Sequence, residues 1–354
     1  CHTAWPSLND FGRKYKENGY RFAPLQEPNK QIGKDLSWDE KFPISTILVG
    51  RPYDKKDSGN TQNRAIHEAE FMISGPMSKE LSAFVEVEAE DEDTNARGFE
   101  LGVPTAALTY TVNPAVNIQL SWADLLWFDS YNTYSSGHRM TRNYNAILNE
   151  SFGGADNASP LRTSRQNITL FGRPVNNLFY GLAFSGNADD SEGNESETLT
   201  ARIAFDLMPN VMVGGLLIDG TCTAQTGLPG CVVDRDYSRI ALDTELNFDN
   251  FLINAAYLQA EDDNATATSK VENDAYFVQG LYTFESSGGG LWAPLLRYDS
   301  YERANGSEDI SELTFSLNYY FSANFRGMVE FWDRSGDGGT ADDDRLTVQV
   351  YAAF

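Results

Sequence analysis

The sharpest chemistry in the sequence lies in its first two residues. Cys1 and His2 form a Cys-His pair, the second half of the Cys-x-x-Cys-His sequence that attaches c-type haem. That chemistry needs the adjacency, because the thiol adds to a haem vinyl group while the neighbouring imidazole binds the iron from one face. The nearby basic residues Arg13, Lys14, Lys16 and Arg21 can pair with the two propionates. A lipoprotein offers a competing use of Cys1, with acyl chains on the same sulfur after signal cleavage. The other cysteines, Cys222 and Cys231, close a Gly/Pro/Thr-rich loop, GTCTAQTGLPGC, and read as a disulfide made in an oxidising compartment. Asp333, Ser335 and Asp337, with Asp344 farther on, place oxygens at positions 1, 3, 5 and 12 of an EF-hand-like loop and make a candidate Ca²⁺ site.

Composition narrows the setting. The 354 residues carry 27 Lys plus Arg against 51 Asp plus Glu, for a formal charge of −24. That sign argues against nucleic acid, whose phosphates need clustered cations. Three histidines leave little room for a His-based metalloenzyme, and neither His67 nor His138 has the Ser/Asp setting of a hydrolase. The acid gathers in connecting stretches, including Glu88–Asp93, Asp189–Glu197, Glu261–Asp263 and Asp333–Asp344. Such a mouth focuses cations, and it equally suits a solvated, saline-adapted surface.

The elements that would position these groups follow one grammar from about residue 40 onward. Runs that alternate apolar with polar are separated by turns, as expected of strands tilted across a bilayer. Leu313, Phe315, Leu317 and Tyr319 alternate with Glu312, Thr314, Ser316 and Asn318. Leu81, Ala83, Val85 and Val87 alternate with Ser82, Phe84, Glu86 and Glu88. Sixteen such runs centre near 47, 70, 85, 105, 120, 168, 181, 203, 215, 241, 256, 279, 296, 315, 329 and 349. Every second connection is short: 75–79, 112–116, 172–176, 207–211, 248–250, 285–290 and 321–324. The others, such as 54–64, 89–96, 128–160, 186–197 and 219–234, are long and polar. This predicts an all-β, transmembrane antiparallel β-barrel of about 16 strands, with long loops extracellular and both termini periplasmic. A sandwich has no reason to sort its connections by length, and no fixed repeat supports a β-helix. Trp122, Trp127, Phe128, Trp292 and Trp332 sit near strand ends, where an aromatic girdle is expected. The ending, Leu346 to a terminal Phe354, resembles the C-terminal strand of bacterial outer-membrane proteins.

Residues 1–35 depart from that grammar, and 36–354 hold the barrel. CHTAWPSLNDFGRKYKENGY resembles the haem segment of the fused monohaem cytochrome–porins of iron-oxidising bacteria. The resemblance lies in Cys1-His2, Pro6–Leu8, Phe11–Arg13 and Lys16–Tyr20. It implies one covalent haem c on Cys1, a proximal ligand at His2, and a cofactor setting that includes Trp5, Phe11, Arg13 and Lys16. It also implies a cytochrome segment plugging the periplasmic mouth. The sequence begins at the second cysteine of the motif, so the first lies upstream or attachment is by a single thioether. For the sixth iron position, Met328 and Met72 share inward faces with charged residues, and packing is the alternative role for each. His67, on a face with Ala69 and Phe71, is expected toward lipid.

The leading functional expectation is an electron conduit, with possible Fe(II) oxidase activity. It takes electrons from an extracellular donor such as Fe²⁺ and delivers them to a periplasmic electron-carrier cytochrome. An extracellular cytochrome is the partner in the larger-assembly alternative, which hands electrons outward. Inward-facing Arg239, Asp243, Glu245, Arg297, Asp299, Arg326 and Glu330 would brace the plug. The alternatives are an acidic, cation-passing porin with no redox role and a redox subunit of a larger outer-membrane assembly.

Overall fold

The computed structural model describes residues 2–4, 6–23, 25, 30–31, 37–38, 44–91, 98–135, 137, 139–150, 160–188, 197–224, 233–264, 266–303, 305–337 and 342–354. Strand after strand pairs antiparallel with its sequence neighbour. They are β5 (Ile44–Lys56), β6 (Gln62–Pro76), β7 (Leu81–Glu90), β8 (Glu100–Asn113), β9 (Val116–Ala123), β10 (Arg165–Val175), β11 (Leu178–Ala188) and β12 (Glu197–Met208). The circuit continues through β13 (Val211–Cys222), β14 (Arg235–Phe248), β15 (Phe251–Asp263), β16 (Lys270–Tyr282), β17 (Phe284–Ser286) and β18 (Gly290–Arg303). It ends with β19 (Glu308–Ser322), β20 (Phe325–Gly336) and β21 (Asp343–Ala353). β16 and β17 both pair with β18 and are two parts of one strand interrupted at Thr283, so the closed barrel has 16 strands. Closure leaves no unpaired edge, which a lipid environment demands. At the seam, Thr46 and Phe354 exchange backbone hydrogen bonds of 2.7 and 2.9 Å.

Alternation sorts the side chains as the pattern requires. Leu313 is 42 % exposed and Phe315 45 %, while Thr314 and Ser316 between them are fully buried. The outward face is a belt of Leu, Ile, Val and aromatic residues. Near the short turns it carries Phe251 on Tyr282 (4.6 Å), Trp292 on Tyr319 (4.4 Å) and Phe321 on Phe325 (5.1 Å). This is the girdle expected at a membrane interface.

Three expectations need correction. Trp127, Phe128 and Trp332 are buried inside rather than girdling the outside. Trp332 is an inward residue of β20 whose indole N–H donates to Glu312 at 3.0 Å. The first connection on the long-loop side spans only 57–61, because β5 and β6 extend farther than the pattern suggested. His67 points inward and is buried: its Nε2 lies 3.1 Å from Glu90, and Arg64 meets its Nδ1. The physical reason is a β-bulge where β5 meets β6, between the pairings Val49↔Glu68 and Arg51↔Arg64. Three residues of β6, Ala65 to His67, lie opposite the single Gly50 of β5, and the two extra residues break the alternation there.

Ahead of the barrel, β1 (His2–Ala4) pairs with β2 (Ser7–Leu8), and α1 (Asp10–Glu17) follows. A small pair, β3 (Lys30–Gln31) with β4 (Ser37–Trp38), precedes β5. Between β9 and β10, residues 124–164 carry the single-turn α2 (Ala146–Asn149).

Candidate functional site

Two segments meet inside the barrel. The first is α1. Its N-cap Asn9 accepts a hydrogen bond from Gly12 N at 3.0 Å, Asp10 lies in the first turn, and Lys14 and Lys16 lie in the last. This charge order suits the helix dipole. After the helix, Gly19 takes a φ of 69° with Ser82 against its Cα, a place that a side chain would fill.

The anchors of this segment trace a ring. Arg13 Nη1 meets Glu245 on β14 at 2.5 Å, and Tyr15 lies 3.5 Å from Ser74 on β6. Arg21 donates to Thr111 on β8 at 2.9 Å. Glu17 accepts two hydrogen bonds from Arg173 on β10, at 2.8 and 2.9 Å. Arg173 continues to Asp206 on β12 at 2.9 Å. Each of these wall residues lies within a few positions of a short turn, so the helix lies across the short-turn mouth.

The second segment is the chain from Asp124 to Glu150. The connection 128–160 was expected outside as a long loop; the described residues of 124–150 fold into the bore. Leu125, Leu126, Phe128, Tyr131, Tyr134, Ile147 and Leu148 are buried in one apolar cluster with inward residues of the wall, among them Phe171, Phe179, Leu216 and Phe277. Gly181 on β11 makes room, since a Cβ there would overlap the Phe128 ring.

Charged wall residues hold this segment in place. Arg202 binds Asp129 at 3.2 Å and Asp243 at 2.5 Å, and Asp243 accepts from Thr133. Arg297 pairs with Asp299 at 2.6 Å and donates to Thr141 and to the Tyr144 carbonyl. Glu330 accepts the backbone N–H of Arg142 at 2.8 Å. Of the seven residues expected to brace the N-terminal plug, only Glu245 has a described ion pair with it. Asp243, Arg297, Asp299 and Glu330 instead hold the inward loop. Arg239 pairs with Asp262 within the wall, and Arg326 stacks over Tyr351 at 3.9 Å.

A different signal marked this loop. Segments such as 189–197 are acidic and polar, whereas DLLWFDSYNTY (124–134) is aromatic and apolar. A solvated loop has no use for that composition.

The expected haem setting is only partly described. Cys1 and Trp5 lie outside the described residues, as does the side chain of His2, whose backbone pairs with Leu8. Arg13 and Lys16 both contact protein groups. Arg13 is held by Glu245 and Asp10. Lys16 donates to the Asp129 carbonyl at 3.0 Å and to Asn132 at 2.8 Å, over the Trp127 ring. Burial pushes the Lys16 ammonium down to about 8.

A cavity of about 90 Å³ lies between the β1–β2 hairpin and the inward loop, lined by Ser7, Leu8, Tyr131, Arg139, Met140 and others. An exposed aromatic pair lies on the same N-terminal segment as the hairpin. Phe11 and Phe22 are 50 % and 65 % exposed, stacked 6.2 Å apart, with Lys14 exposed on the same helix. Met328 is buried on β20, and Met72 packs beside the Tyr20–Phe84 cluster. Neither shares a described apolar cluster with the hairpin; Ala4 packs instead with Met140.

Of the loop expected to hold calcium, residues 338–341 lie outside the described residues. Asp333 and Ser335 are extended residues of β20, and Asp344 is the direct cross-strand partner of Asp333. A strand ladder cannot wrap an ion as a coiled loop does. Among the described residues no group of three or more His, Cys, Asp or Glu side chains could hold a metal. Cys222 is buried at the end of β13 with its sulfur engaged; its expected partner Cys231 lies outside the described residues.

A scan against protein-family models and a search of curated proteins each found no match. Solved structures do match. An outer-membrane protein of Vibrio cholerae, OmpT with its loop L8 deleted, is 13 % identical at a TM-score of 0.63, over 88 % of this chain and 98 % of that one. OmpF of Salmonella typhi is 16 % identical at 0.60, over 88 % and 97 %. An anion-selective porin from Comamonas acidovorans is 14 % identical at 0.58, over 88 % and 98 %. The fold is that of an outer-membrane porin. At such identities the likeness extends to the fold alone.

Proposed function

We propose that this is a porin-type barrel whose bore is stoppered to solutes, and that it carries electrons rather than solutes across the outer membrane. The observation that carries this reading is the filled bore: α1 is tied across one mouth, and residues 124–150 are packed behind it. A barrel of 16 strands otherwise encloses an aqueous channel. In this reading the short-turn mouth is periplasmic and the acidic loops are extracellular. Bound at Cys1 and His2, a haem c would supply one-electron exchange between an extracellular donor such as Fe²⁺ and a periplasmic carrier cytochrome. The chain's own contribution is separation: the stopper excludes water and keeps metal salts outside. The Cys222–Cys231 disulfide belongs to the same proposal, closing a loop on the extracellular face.

The second reading, a cation-passing porin, is the one that the structural likenesses favour. It draws on a stripe of glutamates facing the bore: Glu68, Glu70, Glu86, Glu88 and Glu90 on β6 and β7, all half-buried.

Protein matured in a cytochrome-c-competent host and run through haem staining, absorption spectroscopy and planar-bilayer recording separates the two. The electron-conduit reading expects a covalent haem signal and little conductance. No haem together with steady cation conductance would replace it with the porin.

A further inference from the structure

We infer that Glu17 and Arg173 form a latch that locks α1 and the inward loop together, and that breaking it opens the bore to ions. Glu17 is buried and is the residue where three bodies meet. It sits on the helix, takes two hydrogen bonds from Arg173 of the wall, and accepts a third from Ser130 of the inward loop at 2.6 Å. Arg173 Nη2 also donates to the Tyr131 hydroxyl of the loop at 2.9 Å, and that hydroxyl donates to Asp206 at 2.8 Å. One residue along the helix, Lys16 holds the Asp129 carbonyl and Asn132, and Asp129 is held by Arg202. Neither segment can leave its seat without breaking contacts of the other.

The grip is lopsided. Toward β10 and β14 the helix is held by ion pairs, Glu17–Arg173 and Arg13–Glu245. Toward β6 and β8 it is held by the Tyr15–Ser74 contact and the Arg21–Thr111 hydrogen bond. A buried carboxylate deprived of its guanidinium is left uncompensated in a poorly solvated site, so the ionic side is where release begins. The latch rests on the stoppered bore and does not depend on the haem.

The test is planar-bilayer recording of the full-length protein, with heat-modifiable gel migration confirming a folded barrel. Arg173→Gln should raise mean conductance by at least about tenfold over the wild type. The double variant Glu17→Gln with Arg173→Gln should add little more, because both changes break one interaction. If Arg173→Gln does not fold, Arg173→Lys, which keeps the charge but loses the paired geometry, should show a smaller opening. A folded variant as silent as the wild type, or fully additive effects, would overturn the latch. A wild type already wide open would overturn the stoppered bore itself.

Discussion

The two sides of the bore use charge in opposite ways. On the β10–β20 side, arginines and carboxylates come in contact pairs, Arg202–Asp243, Arg239–Asp262 and Arg297–Asp299, all buried. On the β6–β7 side, Glu68 faces Glu90 and Glu70 faces Glu88 across the ladder. Among the described residues, only Glu90 of the five stripe glutamates makes an ion pair, with His67. Like charges directly opposite destabilise a sheet unless water reaches them, and these glutamates are half-buried rather than sealed. The difference shows where the stopper is fastened. Buried pairs such as Arg202–Asp243 and Arg297–Asp299 fix the inward loop to one wall, and a stripe of half-buried glutamates is left along the other.

The comparison breaks most easily on the paired side. Arg202 is fully buried and holds both Asp129 and Asp243. Arg202→Met leaves two carboxylates without their cation, at a cost of about 3–5 kcal/mol. The expected outcome is a clear fall in the temperature at which the barrel loses its heat-modifiable form. An unchanged temperature would mean that the wall does not hold the loop.

A second effect comes from Lys16. Burial lowers its docked value from 10.5 to about 8. Below pH 8 the ammonium is charged in both the docked and the released state, and its burial opposes docking in full. Between pH 8 and 10.5 the docked helix has shed the proton while the released one keeps it. Release then takes up a proton, so docking strengthens as pH rises through this window, by up to about 3 kcal/mol. Limited proteolysis of the N-terminal segment should slow from pH 8 to 10, and the slowing should vanish in Lys16→Met. Equal pH dependence in both proteins would remove Lys16 from the account.

Much of this was legible in the sequence because a barrel strand obeys one period. The sixteen alternating runs and the short turns between them follow from which face meets lipid, and that preference is written into each residue pair. The bulge at His67 was not legible, since the two extra residues of β6 leave the composition unchanged and alter only the local facing. The inward loop was missed for another reason: loop length suggested the exterior, while the burial of Phe128 depends on the room left by Gly181, a partner far along the chain. The roles of Arg13 and Lys16 were likewise set by distant residues. Their proximity to Cys1 in sequence suggested propionates, but Glu245 and Asp129 claim them in space.

The smallest effect sharpens the other half of the comparison. Replacing one member of the facing pair, Glu88→Gln, removes repulsion from Glu70 and should stabilise the barrel by about 0.2–1 kcal/mol. Its functional effect has the opposite sign. In the Arg173→Gln background, where ions are expected to enter, the stripe sets the local potential, so Glu70→Gln with Glu88→Gln should lower the cation preference read from the reversal potential in a salt gradient. A balanced wall predicts no such change when a paired residue such as Asp262 is neutralised together with Arg239. If both double variants shifted the reversal potential equally, ions would be sampling the whole circumference. The contrast between a fastened wall and a glutamate-lined one would then be wrong, even with the barrel itself intact.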